Sequence, residues 1–332
     1  MVCQKGKNIW ITWDDHRRSR ELARVLGFDY VVRESNAPRL LRYLYLGVGT
    51  LVLLIKRNPR VVVSQNPSVV LAALLCLVKP VFKFYLVVDR HSNFKLNTRK
   101  SRRNKCKVFH LLSDYSLKKA DLTIVTNKTA SDYVEDIGAT SFILPDKIPD
   151  LNITKKHDLS DHFSFFFVCT FSDDEPVEEV LEAFSKLKEK QNVRMYVSGN
   201  YSKFPKNKYY MNSAGINFLG FVDDQEYVNY LYSCDAVIVL TTMPMTLNCG
   251  SYEAVAAGKP QLVAASEEIV SYFYKGRIAV NMDKLKKENL VRDFKKMIDS
   301  YNVLKSEQIE FKKEIEVIWE KKFKDLKAFL AQ

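Results

Sequence analysis

The densest chemistry in this chain lies in the run from Leu240 to Ala264, LTTMPMTLNCGSYEAVAAGKPQLVA. The pattern predicts an apolar strand over Ala236 to Leu240, a loop of small residues, and a short helix stopped by Gly258 and Pro260. A strand that enters a helix through Asn248, Gly250 and Ser251 gathers backbone N–H groups at the positive end of a helix dipole. Those of Gly250, Ser251 and Tyr252 suit a diphosphate. Glu253, one turn in, is placed to accept hydrogen bonds from sugar hydroxyls. A second segment, Asp89-Arg90-His91, ends a predicted strand and offers a carboxylate and an imidazole, groups that take up or position a proton. Plainer roles stay open. Glu253 would complement the dipole as an ordinary first-turn acid, Gly250 would serve a tight turn, Asp89 would cap a loop, and His91 would be a structural hydrogen-bonder.

The elements that hold these residues alternate strand and helix. Strands are expected over Asn8 to Trp13, Tyr30 to Arg33, Arg60 to Ser64, Phe82 to Val88, Leu122 to Thr126 and Ser141 to Leu144. Helices fall between them over Arg17 to Leu26, Pro38 to Lys56, Ser68 to Leu77, His110 to Ala120 and Lys128 to Glu135. Pro145 to Phe163 is polar and reads as a linker. A second alternation follows, with strands Phe163 to Cys169, Val193 to Ser198, Ile216 to Leu219, Ala236 to Leu240 and Gln261 to Val263. Its helices are Pro176 to Lys188, Gln225 to Ser233 and Ser251 to Ala257, and a charged amphipathic helix from Glu307 to Ala331 closes the chain. Continuous apolar strands joined by helices predict parallel, doubly wound α/β sheets, with ligands outside the carboxyl ends of the strands.

Length and composition agree with two such domains. A chain of 332 residues exceeds one ordinary core, and 47% hydrophobic with 27% charged residues is a globular composition. Six cysteines, Cys3, Cys76, Cys106, Cys169, Cys234 and Cys249, are scattered with no C-x-x-C pair and no leader, so reduced thiols in the cytoplasm are expected. The five histidines include no pair at helix-face spacing, so no metal site is expected.

Charge is uneven. Residues 1–150 hold 26 Lys/Arg against 13 Asp/Glu, and residues 151–332 hold 25 against 26, so the whole excess of +12 belongs to the first half. Its densest run, Lys95 to Lys107 (KLNTRKSRRNKCK), reads as a loop beside the apolar-basic stretch from Arg39 to Arg60. Such a run is solvated surface or a contact with an anionic membrane surface. No nucleic-acid-binding motif accompanies it, and no nucleic acid partner is expected. Leu44 to Ile55 is shorter than the roughly twenty residues of a spanning helix, and Lys79, Pro80 and Lys83 break Val69 to Val88. A cytoplasmic protein, peripheral on the inner face of the membrane, is the expectation.

Four segments of the second half carry a resemblance: VCTFSDDEPVEEVLEAFSKL, MYVSGN with its Gly199 turn, INFLGFVDDQEYVNYLYSCDAVIVLTT with Asp235, and the run from Leu240. Together they resemble the nucleotide-sugar-binding domain of glycosyltransferases with the GT-B fold, of the kind grouped in glycosyltransferase family 4 and acting in cell-surface polysaccharide synthesis. In the first half, VVVSQNPSVV with Gln65-Asn66-Pro67 and FYLVVDRHSN with Asp89-Arg90-His91 look like acceptor domains of transferases that glycosylate lipid-linked sugars. WDDHRRSRELARVLG is similar to a first loop and helix, in which Arg17 and Arg18 are surface charge or meet an anionic acceptor.

The resemblance implies two Rossmann-like domains facing a central cleft, acceptor-binding over 1–150 and donor-binding over 160–305, with a C-terminal helix over 306–332. It implies a nucleotide-diphosphate sugar as co-substrate, no cofactor, and a glycan or lipid-linked acceptor. Asn248, Gly250, Ser251, Tyr252, Glu253, Gly199, Asn200 and Lys203 would bind the donor. Asp89, His91 and Glu253 would serve catalysis, Asp89 as base if the enzyme inverts and His91 orienting a substrate if it retains. A hexosyl donor and a retaining route come first.

Two places depart from the family pattern. Met245 stands where the first of two glutamates is expected, and Ser172, Asp173, Asp174 and Glu175 stand where an Arg and a Lys would neutralise the diphosphate. Lys203 is the candidate substitute cation. A nucleotide-sugar epimerase on the same fold, or a silent partner that only binds a nucleotide sugar, stays open beside transfer.

Overall fold

The computed structural model describes residues 6–65, 68–91, 93, 95–189, 191–205, 209–210 and 215–331. Cys3, Asn66, Pro67 and Ser92 therefore lie outside the described residues. Two compact units divide the chain. One comprises the chain up to Asp146 together with the segment from Glu320 onward; the other is Lys147–Trp319.

The N-terminal unit alternates β1 (Ile9–Thr12), α1 (Arg17–Leu26), β2 (Asp29–Val32), α2 (Arg39–Arg57), β3 (Val61–Gln65), α3 (Val69–Phe82), β4 (Tyr85–Arg90), α4 (Asn104–Lys119), β5 (Leu122–Val125), α5 (Lys128–Asp136) and β6 (Ser141–Ile143). Its sheet is parallel throughout, in the order β2-β1-β3-β4-β5-β6. Ile9, Val62, Leu86 and Val88 meet Leu46 and Leu54 of α2, Leu71 and Leu75 of α3, and Leu117 of α4 in one buried core. Helix α3 runs through Pro80, which falls in its last turn; the missing N–H costs one i→i−4 bond, and the helix ends two residues later at Phe82. The basic run is part loop and part helix, because α4 begins at Asn104.

The second unit follows with β7 (Phe163–Phe167), α6 (Val177–Lys188), β8 (Val193–Ser198), β9 (Ile216–Gly220), α7 (Asp224–Ser233), β10 (Ala236–Val239), α8 (Cys249–Ala256), β11 (Gln261–Ala264), α9 (Glu267–Tyr272), β12 (Arg277–Val280) and α10 (Lys287–Asp299). Its sheet is also parallel, ordered β12-β11-β10-β7-β8-β9. The phenylalanine run of β7 feeds both faces, Phe165 and Phe167 into one core and Phe166 into the other. Asp235 ties the start of β10 to β7 by accepting from the Ser164 N–H and hydroxyl, both at 2.8 Å.

The closing helix α11 spans Tyr301–Ala331 and so begins six residues before the sequence pattern places it. Elements α9, β12 and α10 were not anticipated. The doubly wound α/β architecture, two Rossmann-like domains and a C-terminal helix, is as expected.

Candidate functional site

In an open parallel sheet, ligands bind outside the strand ends where the winding reverses. In the first sheet the reversal lies between β1 and β3, and in the second between β7 and β10.

At the second reversal, two loops meet the start of α8. In the loop after β7, Glu175 turns its carboxylate back to accept from the N–H groups of Thr170 (2.9 Å) and Ser172 (3.1 Å). The bond to Ser172 braces the four-residue turn from Ser172 to Glu175 ahead of α6 and satisfies an N–H that the loop would otherwise leave unpaired. Asp174 reaches the loop after β10. Its carbonyl accepts from the Thr242 N–H (2.8 Å), and its carboxylate accepts from the Thr241 hydroxyl. Of the acids in the place of the expected basic pair, Asp174 thus staples the two loops together and Glu175 braces its own loop. Met245 has a left-handed φ of 55° and donates its N–H to the buried carboxylate of Glu268.

Helix α8 follows Asn248. Gly250 is buried, and a Cβ there would lie 3.0 Å from Val168 Cγ1 and 3.2 Å from Val239 Cγ2. Close approach of the helix start to the two central strands, rather than a positive φ, is the reason for glycine. Ser251 donates its N–H to the Asn248 carbonyl at 3.1 Å and closes the first turn. Tyr252 packs its ring between Tyr272 and Phe273. Those two residues therefore build the helix start, and the positive end is carried by the amides ahead of them, at Cys249 and Gly250. Glu253 is half-buried and accepts from the Tyr227 hydroxyl of α7 at 2.7 Å.

The turn after β8 is largely self-contained. Gly199 has φ 95°, its N–H donates to the Gly220 carbonyl at 2.9 Å, and a Cβ would fall 2.0 Å from the Cys169 carbonyl oxygen. Asn200 Oδ1 accepts from the Ser202 N–H (3.1 Å) and hydroxyl (2.6 Å). Lys203 is exposed beside them.

In the N-terminal unit, Asp89 is fully buried at the end of β4. It accepts from Arg18 Nε and Nη2, both at 3.2 Å, and lies 3.0 Å from His91 Nδ1. Arg18 also donates to the Leu144 carbonyl at 2.9 Å and pairs with Asp146. Burial alone would raise the Asp89 carboxyl, but the guanidinium and the imidazole outweigh it and hold the group well below the usual carboxylate range. His91 packs against His16, the two rings tilted by 38° with centroids 4.7 Å apart. Burial, then the neighbouring His91, pushes the His16 imidazole below its ordinary value.

Two readings are corrected here. Arg18 is not surface charge, since it is 6% exposed and fully engaged. Asp89, enclosed on all sides, cannot itself meet a substrate hydroxyl; what it positions is His91. Tyr227 and Glu268 escaped sequence reasoning, as did the partners of Arg18 and Glu175. Only Glu175 had a local signal, the Ser-x-x-Glu spacing from Ser172.

A family model described as "Glycosyl transferases group 1" matches residues 151–330. The chain belongs to the group 1 glycosyl transferases. This glycosyltransferase has no significant match among curated protein sequences. Among solved structures, it is similar to a sucrose-phosphate synthase of Thermosynechococcus elongatus, with TM-score 0.77, 12% identity and 99% of each chain covered. It is similar to the HepE protein of Anabaena in complex with UDP and glucose, with TM-score 0.73, 11% identity, and 97% and 100% of the two chains covered. A third likeness is to a putative UDP-N-acetylglucosamine 2-epimerase of Listeria monocytogenes, with TM-score 0.65, 15% identity, and 92% and 91% covered. At these identities the likeness is one of fold, and the GT-B architecture is the shared feature.

Proposed function

We propose that this glycosyltransferase moves a hexose from a nucleoside diphosphate to a glycan or lipid-linked acceptor at the cytoplasmic face of a membrane, without a metal, as a family 4 enzyme of cell-surface polysaccharide synthesis. The observation that carries this reading is the start of α8. As the glycosidic bond to phosphate breaks, negative charge grows on the diphosphate. The amides of Cys249 and Gly250 and the helix dipole offer fixed partial positive charge for it. Glu253, oriented by Tyr227, supplies the carboxylate for sugar hydroxyls. The solved HepE complex contains UDP and glucose, which makes UDP-glucose the first donor to try.

Proton transfer falls to the N-terminal unit. With Asp89 at Nδ1, His91 presents Nε2, which can take the proton of an acceptor hydroxyl. A base of this kind serves direct displacement with inversion. In the retaining route, His91 orients the substrate and the departing phosphate takes the proton. The anomeric configuration of the first-formed product, read by proton NMR, separates the two.

The test of function is acceptor-dependent release of nucleoside diphosphate, undiminished by chelator. Glu253→Ala should weaken nucleotide affinity about tenfold with the melting temperature unchanged, the loss of about one charge-assisted hydrogen bond. Unchanged affinity would put the donor elsewhere. The fold shared with the Listeria protein favours epimerisation as the second reading, and isomerised donor in the absence of acceptor would establish it.

A further inference from the structure

Helix α2 is apolar on both sides. Leu46 and Leu54 are buried in the core, while Leu41, Leu44, Tyr45, Val48, Val52 and Ile55 are exposed, Leu44 at 67% and Ile55 at 68%. Their spacing of i, i+3, i+4, i+7, i+11 and i+14 makes one stripe about 21 Å long. The helices beside it in the layer extend the apolar surface, α3 through Leu77 and Val81 and α4 through Val108 and Leu111. A monomer seldom leaves so large an apolar surface in water.

Charge says what would cover it. From Glu34 to Asp114 the sequence holds fifteen Lys/Arg and one intervening acid, Asp89, which is buried. Asp14 and Asp29 pair with Arg42 and Arg57 of α2, and the remaining cations leave the apolar stripe in a net basic setting that complements the interface of an anionic bilayer. Among the described residues no helix is long and apolar enough to cross one.

A cavity of about 500 Å³ lies at the N-terminal end of the same helix, at the reversal between β1 and β3. Arg39, Arg42 and Tyr43 of α2, Lys105 of α4, Lys95 and His16 line it. Asp14 and Asp15 line it too, but Asp14 pairs with Arg42 and Asp15 with Arg20, so cations remain in excess. Arg42 Nε and His16 Nδ1 are buried without a hydrogen-bond partner among the described residues. Val108 belongs both to the cavity wall and to the exposed apolar surface.

We propose that the α2–α4 layer seats on an anionic bilayer with the Leu41–Ile55 stripe in the interface, and that the cavity takes the phosphate head of a lipid acceptor drawn from that bilayer. The proposal rests on the acceptor half of the reading above and is independent of the donor half.

Co-sedimentation of the full chain with vesicles tests it, using phosphatidylcholine alone, phosphatidylcholine with phosphatidylglycerol, and the latter doped with a long-chain prenyl phosphate. Wild type should bind the phosphatidylglycerol vesicles, more weakly at high salt, and bind the doped ones more tightly still. Leu44→Ser/Val48→Ser/Val52→Ser should lower binding to both about tenfold or more. Arg39→Gln/Lys105→Gln should keep most of the phosphatidylglycerol binding and lose the prenyl phosphate increment. All five wild-type side chains are solvent-facing or at a cavity wall, and an unchanged melting temperature and nucleotide affinity would show that the variants are folded. Absence of wild-type binding, or wild-type binding by the triple variant, overturns the seating. A retained increment in the double variant overturns the headgroup site. Loss of a wild-type dimer in the triple variant, with no vesicle binding by wild type, would make the face a self-association surface and sink the proposal. Loss of nucleotide affinity in Glu253→Ala has no bearing on these outcomes, so the two readings fail separately.

Discussion

Asp89 shows how a residue can matter to chemistry without touching it. Its folded pKa lies below the unfolded value of 3.8, so its stabilising contribution is complete above that value and is lost as pH falls beneath it. Asp89→Asn leaves Arg18 buried with a diminished partner, and should cost about 3 kcal/mol. Urea midpoints measured down the acid range should show that loss at neutral pH, with a flatter acid limb in the variant. His91→Asn removes the presented imidazole alone. It should lower the turnover rate about a hundredfold or more while leaving nucleotide affinity and melting temperature near wild type. Equal turnover would return His91 to a structural role. At this scale the sequence was half legible. Asp89, His91 and Glu253 stood out as polar side chains at the ends of apolar runs. Arg18 could not, because it meets Asp89 across 71 residues and no spacing rule joins them. Glu175 was visible as type but misleading as chemistry, since its charge is spent on the loop's own amides.

The strand–loop–helix junctions depend on two glycines for different reasons. Gly199→Ala adds a methyl group against a backbone carbonyl in a left-handed conformation, and should cost about 3 kcal/mol or more. Gly250→Ala meets only valine methyl groups, which can give way. It should cost less, about 1–2 kcal/mol, yet move the start of α8, so nucleotide affinity should fall in a unit that stays folded. Calorimetric titration beside thermal melts separates the two cases; equal loss of both quantities in Gly250→Ala would deny α8 its binding role. Strands up to β11 were readable because buried parallel strands are unbroken apolar runs, such as Val61–Val63 and Phe165–Phe167. Strand β12 has four residues and opens with Arg277, too little to stand out. Helix α10 did carry a signal, Leu290, Phe294 and Met297 buried at i, i+4 and i+7, hidden among lysines.

On the scale of the whole molecule, α11 belongs to both units. Phe311, Ile315 and Trp319 are buried in its first part and Leu326 and Leu330 in its last. Arg60 donates to the Leu330 carbonyl at 2.7 Å, and Phe329 meets Tyr85 edge to face. Amphipathic spacing identified the helix but not this division, which no local pattern encodes. Ending the chain at Trp319 should therefore destabilise the N-terminal unit by about 4 kcal/mol through two lost leucines. Nucleotide binding by the other unit should change little. Scanning calorimetry that found a single unshifted transition would contradict this.

The same helix sets an order of events during synthesis. The N-terminal unit is translated first, yet its last packing pieces arrive only after all of Lys147–Trp319 has been made. Until then the ground under Leu326 and Leu330 lies open on the nascent chain, an apolar gap of the kind that chaperones hold and aggregates exploit.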